Sequence, residues 1–391
     1  LNPKTSLPAG IIALGVVSML MDMSSELVHS LLPMYVVGTL GASMVTLGFI
    51  EGIAEATASV VKVFSGIASD VARRRKIIVV LGYGLSALTK PLFPLASAVW
   101  MVMGGRFVDR IGKGIRGAPR DALVADMVAP EQRGAAYGLR QALDTVGAIL
   151  GPLMAIVLMM VLVDDLRVAL WVAVVPAIAA VVVLTTAVRE PKAASPSSLI
   201  TSRFRFGSVR DLPKQYWRVV GFGGVLALAR CSEAFVILRA QDVGLATAYV
   251  PGVMIVMNVV YAAAAYPASA AADRMSARHI LLTGLASLVA ADVLLASVAT
   301  PFGVLAGSAF WGLNMAFTQG TLSKLVADAA PETLRGSAFG YYNVVNGGAV
   351  LLASVVAGLL WSVLGPAATF IAGAVFATLA MVGLMVVRTN R

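Results

Sequence analysis

Four cations, Arg106, Arg110, Lys113 and Arg120, sit inside an apolar stretch at offsets of four, seven and fourteen. On a helix turning roughly 100° per residue they fall within about 80° of one another, with Gly117 among them. A charge at bilayer depth costs at least about 2.5 kcal/mol, so this face must meet partners or a water-filled path rather than lipid. Acids stand ready for it. Asp22, Glu26 and His29 share one face of the first apolar run, Glu51 and Glu55 share a face with Lys62 in the second, and Asp109, Arg140 and Asp144 lie in the fourth and fifth. A carboxylate that gains and loses an arginine partner binds and releases a proton, which is the chemistry of ion-coupled transport. The same residues would also serve as structural ion pairs inside a helix bundle.

The elements that position them are membrane spans. The 391 residues are 59% hydrophobic and 13% charged, with a mean hydropathy of +0.88, against roughly 45 to 50% apolar residues in soluble domains. Apolar runs of the roughly 20 residues needed to cross a bilayer recur about twelve times. The expected architecture is therefore all-α and integral to the membrane, with twelve spans. The formal charge of +10 is distributed by side. Connections such as Gly38 to Val45 and Pro94 to Val99 carry no Lys or Arg, whereas alternate ones carry Arg73 to Lys76, then Arg189 to Arg218, then Arg274 and Arg278. By the positive-inside rule both termini are expected in the cytoplasm, in a plasma (inner) membrane, with no nucleic-acid partner. The first apolar run reads as a retained span rather than a cleaved peptide.

Several chemistries are set aside. There is one cysteine, Cys231, hence no internal disulfide, and the two histidines, His29 and His279, are far apart in sequence. Neither HExxH, GxSxG nor a nucleotide-binding P-loop occurs, so no metal, no cofactor and no ATP use is expected, and the chain is not read as an enzyme.

The chain repeats. ADMVAPEQRGAAYG, from Ala125 to Gly138, returns as ADAAPETLRGSAFG, from Ala327 to Gly340, and Ser25 with Glu26 is echoed by Ser232 with Glu233. Two six-span bundles of like orientation are expected, at residues 1–188 and 215–391, joined by a Pro-, Ser- and Arg-rich cytoplasmic linker at 189–214, whose basic residues suit lipid headgroups. Substrate then belongs between the bundles, which brings Glu233 into the candidate set beside the N-terminal charges.

These residues resemble the major facilitator superfamily over essentially the whole chain. Gly66, Asp70, Arg74 and Arg75 look like its motif between spans two and three, with Arg73 where the family usually has Gly, and Asp273 echoes Asp70. The resemblance implies a cytoplasmic gate at these positions. Arg106 with Asp109 and Gly112 resembles the fourth-span motif whose arginine is implicated in proton coupling; Arg110 replaces a usual Gly there and Lys113 adds a cation. Gly147, Gly151 and Pro152 resemble the fifth-span motif of exporting antiporters, without its final Gly pair. Together they imply a monomeric secondary transporter for a small polar or amphiphilic solute, driven by a proton gradient and exporting by alternating access. An uptake symporter or uniporter, and a non-transporting sensor or scaffold on the same fold, remain as alternatives. The sequence leaves the titrating acid open, with Glu26 and Asp22 favoured and Arg106 as their modulator.

Overall fold

Apolar runs without water must satisfy every backbone N–H and C=O internally, and this chain does so with helices. The computed structural model describes residues 7–72, 75–129, 132–190, 212–272, 275–331 and 334–386, of which 66–72, 269–272, 335–336 and 386 are described by backbone alone.

The first six spans are built as follows. Helix α1 (Ala9–Met34) passes through Pro33 into a π-helical turn at Tyr35–Thr39, and α2 covers Met44–Ala72. Span three is α3 (Arg75–Thr89) with the single turn α4 (Leu92–Leu95). Helices α5 (Val99–Met127) and α6 (Arg133–Val161) follow. Span six is α7 (Leu166–Val172), capped by the Asp165 carboxylate, and α8 (Val174–Ala187). The break at Ala173 leaves a carbonyl that Ser24 of α1 satisfies, donating through Oγ at 2.7 Å.

The later spans repeat this plan. Span seven is interrupted, as α9 (Lys214–Leu228) and α10 (Glu233–Asp242). Then come α11 (Gly252–Ala272), α12 (Ala277–Ser297) and α13 (Pro301–Ala329). Thr300 starts α13 by accepting from the Gly303 N–H at 3.2 Å, with proline at the first helical position. Helix α14 (Arg335–Leu364) stops at Gly365, whose φ of +90° breaks the ladder, and Pro366 opens α15 (Pro366–Val386).

Ten of these spans are long and apolar enough to cross a membrane by composition. The two that are not, α5 and α13, are both 29 residues long and hold the fourth place in each half of the repeat. Polar content therefore concentrates at the same place in both copies, where a channel side is expected rather than lipid. Lipid-facing character is clear on span three, where Leu81 and Leu88 of α3 and Leu95 of α4 stand exposed.

The chain forms two compact units. The first takes Leu1–Val28, Thr57–Met154 and Asp165–Phe206. Its core gathers Ile11, Leu14 and Met21 of α1, Tyr83 of α3, Leu123 of α5 and Leu184 of α8. The second takes His29–Ala56, Ala155–Asp164 and Gly207–Arg391. Within it, Tyr216 of α9 donates to the Ala338 carbonyl of α14 at 2.7 Å. There too, α2 and α14 meet backbone to backbone: Gly48 faces the Ser354 carbonyl, Gly358 faces the Met44 carbonyl, and a β-carbon on Gly52 would stand 2.8 Å from Leu351 Cα. Only residues without side chains allow that approach.

Candidate functional site

Glycines also build the polar centre of the first unit. A β-carbon on Gly82 of α3 would lie 2.8 Å from the Arg116 nitrogen, and one on Gly112 of α5 would lie 2.6 Å from Ser86 Oγ. This close approach lets short polar groups span the α3–α5 interface. Lys90 Nζ donates to Asp109 at 3.1 Å and to Ser25 Oγ of α1 at 3.2 Å. Ser86 Oγ donates to the Asp109 carbonyl at 3.2 Å and accepts from Arg116 at 2.6 Å. The Arg116 guanidinium lies over the Tyr83 ring, 4.7 Å from its centroid.

From there the polar track continues across three helices. The Tyr83 and Ser18 hydroxyls are 3.1 Å apart, and Arg120 donates to the same Ser18 oxygen at 3.1 Å. Asp121 takes Arg120 at 3.3 Å and Arg140 at 3.8 Å, and Arg140 in turn donates to Asp144 at 2.5 Å. Charged groups in the first unit thus form one connected chain from Lys90 to Asp144. Asp144 Oδ1, also buried, has no hydrogen-bond partner among the described residues.

Asp22 borders this track, with Asp144, Lys113, Arg116 and Arg120 in its electrostatic surroundings. Glu26 is half-buried one turn further along α1, against α6: a β-carbon at Gly151 would stand 2.9 Å from Glu26 Cβ, and Gly147 faces the Met19 carbonyl. The fifth-span motif is therefore the seat of α1, and α6 runs unbroken through Pro152. Arg106 and Arg110 are buried, at 1% and 5% exposure, and both act on the Asp109 carboxylate. Lys113, on the same helix face, is exposed.

His29, Glu51 and Glu55 belong to the second unit, where His29 Nε2 lies 3.8 Å from the buried Glu51 carboxylate and Glu55 is half-buried. Glu233 is half-buried at the start of α10, where Ser232 caps the helix by accepting from Ala234 N–H at 3.2 Å. The echo of Ser25 and Glu26 in Ser232 and Glu233 is thus one of sequence and not of local structure: the first pair lies within a helix, the second at a break.

Of the expected gate, Arg75 hydrogen-bonds Asp126 and the Ala122 carbonyl, tying the start of α3 to the end of α5. Gly66 and Asp70 are described by backbone alone, and Arg74 and Asp273 lie outside the described residues. So does most of the linker. Among the described residues no three His, Cys, Asp or Glu side chains gather as a metal set.

The sequence reading passed over Lys90 and Arg116, the two cations that hold Asp109 and Ser86. A signal was present for each. Lys90 ends an apolar run just before Pro91, and Arg116 follows Asp109 by seven residues, which puts both on one helix face.

Twelve helical spans in a duplicated order, ten of them long and apolar enough to cross a membrane, with charge buried in the fourth span and its neighbours, fit a polytopic membrane transporter. The family model of the Major Facilitator Superfamily matches residues 14–238 and 222–391, and the chain belongs to that family. It is 31% identical over 370 residues to an uncharacterised MFS-type transporter of Methanocaldococcus jannaschii, covering 93% of this chain and 91% of that one. In fold it is similar to the nucleoside transporter NupG, with a TM-score of 0.78 at 13% identity, covering 98% of this chain and 100% of that one. A POT family transporter in complex with a thioalcohol-conjugated peptide gives a TM-score of 0.78 at 13% identity, covering 97% and 95%.

Proposed function

We propose that this transporter moves a small polar or amphiphilic solute by alternating access and uses the proton gradient to export it, one proton site being Asp22 or Glu26 on α1. The observation that carries the reading is the company of Asp22: a second carboxylate, Asp144, and three cations within one membrane-embedded track. Two acids competing for shared cations make a site whose proton occupancy changes when any partner moves. Arg106, buried beside Asp109, acts on that balance through the same helix.

The fifth-span glycines, which seat the Glu26 segment of α1 against α6, favour export only through the resemblance of their motif to that of exporting antiporters. Structures of like fold bind nucleosides and peptides by their names, which fits a polar solute. The protein works as a monomer in the plasma membrane, with both termini in the cytoplasm and lipid headgroups along its basic loops.

A thermal-shift screen of metabolites and drugs identifies the solute, and proteoliposomes under an imposed pH gradient then test the mechanism. Asp22→Asn or Glu26→Gln should abolish uphill transport and retain exchange between equal pools. Arg106→Ala should impair both. Normal pH-driven transport in both neutralised variants would overturn the assignment, and solute accumulation with inward proton flow would make the protein an uptake symporter.

A further inference from the structure

The interruption of span seven has a carboxylate behind it. Ala229 closes α9 by donating to the Val225 and Leu226 carbonyls at 3.2 Å, and regular helix resumes only at Glu233. A cavity of 110 Å³ opens here, lined by Leu228, Ala229 and Cys231 from the break, Asp292 of α12, and Thr369 and Gly373 of α15. It has room for several waters, since one needs about 10–15 Å³. All of these residues belong to the second unit.

Asp292 is 1% exposed, and its Oδ2 has no hydrogen-bond partner among the described residues. Space for it is made on purpose: a β-carbon on Gly373 would stand 2.6 Å from that oxygen and 3.2 Å from the Ala229 carbonyl. Of the ionisable groups on the surrounding elements, the Cys231 thiol is the one that faces the carboxylate. Arg230 and Glu233 flank the break, Arg278 and His279 lie near the other end of α12, and the residues of α13 from Pro301 to Thr321, of α14 from Asn343 onward and all of α15 carry no ionisable side chain. Arg239 of α10, the buried cation that packs on the same helix, is taken by the Leu295 carbonyl at 2.9 Å and by Asp242. No cation pairs with Asp292 among the described residues, and a bare carboxylate at this depth is costly unless it binds a proton or an ion. Among the lining residues only Asp292 and Thr369 carry side-chain oxygens, and the Thr369 hydroxyl already donates to the Ala357 carbonyl at 2.9 Å, a poor side-chain set for a hard metal ion, which takes about six oxygens or more.

We propose that Asp292 is a proton-binding carboxyl of the C-terminal half, loaded and unloaded through the water-sized cavity at the broken seventh span. Discontinuous spans expose main-chain groups where transporters handle ions, which gives this acid its access route. Its role in coupling rests on the transporter reading above, whereas the protonation itself does not.

The test uses the full-length protein in nanodiscs. A hydrophobic carbodiimide reacts with a carboxyl only in its protonated form, so peptide mapping should place an adduct on Asp292 in acid buffer that fades in alkaline buffer. Infrared difference spectra between the two buffers should show a protonated-carboxyl band that Asp292→Asn removes and Asp22→Asn keeps. The adduct measurement needs no variant to fold. No adduct at any pH, or a band unchanged in Asp292→Asn, would overturn the proposal. Protection by sodium chloride but not choline chloride at fixed pH would overturn it as well, in favour of a cation site. Loss of pH-driven transport in the Asp22 variant with the Asp292 signals intact separates the two readings.

Discussion

Lys90 and Asp109 offer a quantitative test of how the first unit is held. Their side chains are 1% and 5% exposed and 3.1 Å apart, and each has further charge nearby: Arg106, Arg110 and Arg116 act on Asp109, and Arg106 and Arg116 act on Lys90. Removing one partner of a buried pair costs about 3–5 kcal/mol. The two removals are not equivalent here. Lys90→Met leaves Asp109 with three arginines, so the loss should fall at or below the lower end of that range. Asp109→Asn leaves Lys90 among cations with no carboxylate, so the loss should reach the upper end. The double variant Lys90→Met/Asp109→Asn removes both charges and should be less destabilised than Asp109→Asn alone. Thermal or denaturant unfolding of the purified protein in nanodiscs, run as a double-mutant cycle, measures this. Equal losses for the two single variants, or strict additivity in the double, would refute the argument that Asp109 is the anion of a surplus of cations.

Three further outcomes follow from other contacts. Gly48→Leu drives a side chain into the Ser354 carbonyl and should cost about 1–3 kcal/mol or force α2 and α14 apart, which distances between spin labels on the two helices report. Ser24→Ala removes the side-chain hydrogen bond to the Ala173 carbonyl at the α7–α8 break, for a loss of about 0.5–1.5 kcal/mol in unfolding experiments, and Ser24→Thr should recover part of it. A cysteine placed at Ser197 in a Cys231→Ser background should resist an impermeant maleimide applied outside intact cells and react after permeabilisation; labelling from outside would reverse the proposed orientation.

Hydrophobic run length made the spans readable, α5 among them despite its charges, because bilayer thickness dictates it, and the internal repeat made the two bundles readable. The faces were readable too. Asp22 and Arg120, chosen by offset alone, do lie in one charged neighbourhood. Pairing was harder. Asp109 was set against the arginines of its own helix, but its closest contact is Lys90 on another helix, and a lysine at the end of an apolar run looks like an interface anchor. Asp292 gave no periodic signal at all, being one acid in an apolar helix, and its meaning depends on a cavity and a glycine, Gly373, that lie far away in sequence. The interruption at Arg230 to Ser232 was equally hidden, since no proline or glycine marks it.

The seam between α2 and α14 has its own consequence. Its glycines bring main chains together whose N–H and C=O groups are already bonded along their own helices, so parting them strands no backbone polar group, and the side chains that meet these glycines, Leu351 and Phe235, are apolar. What holds is dispersion, about 0.1–0.2 kcal/mol for each atom pair, accumulated over the length of the contact. A fastening of that kind is indifferent to acidity and ionic strength and answers only to thickness, one methyl group at a time. Under the alternating access proposed above, the signal to part this seam is therefore received elsewhere and delivered to it as mechanical force.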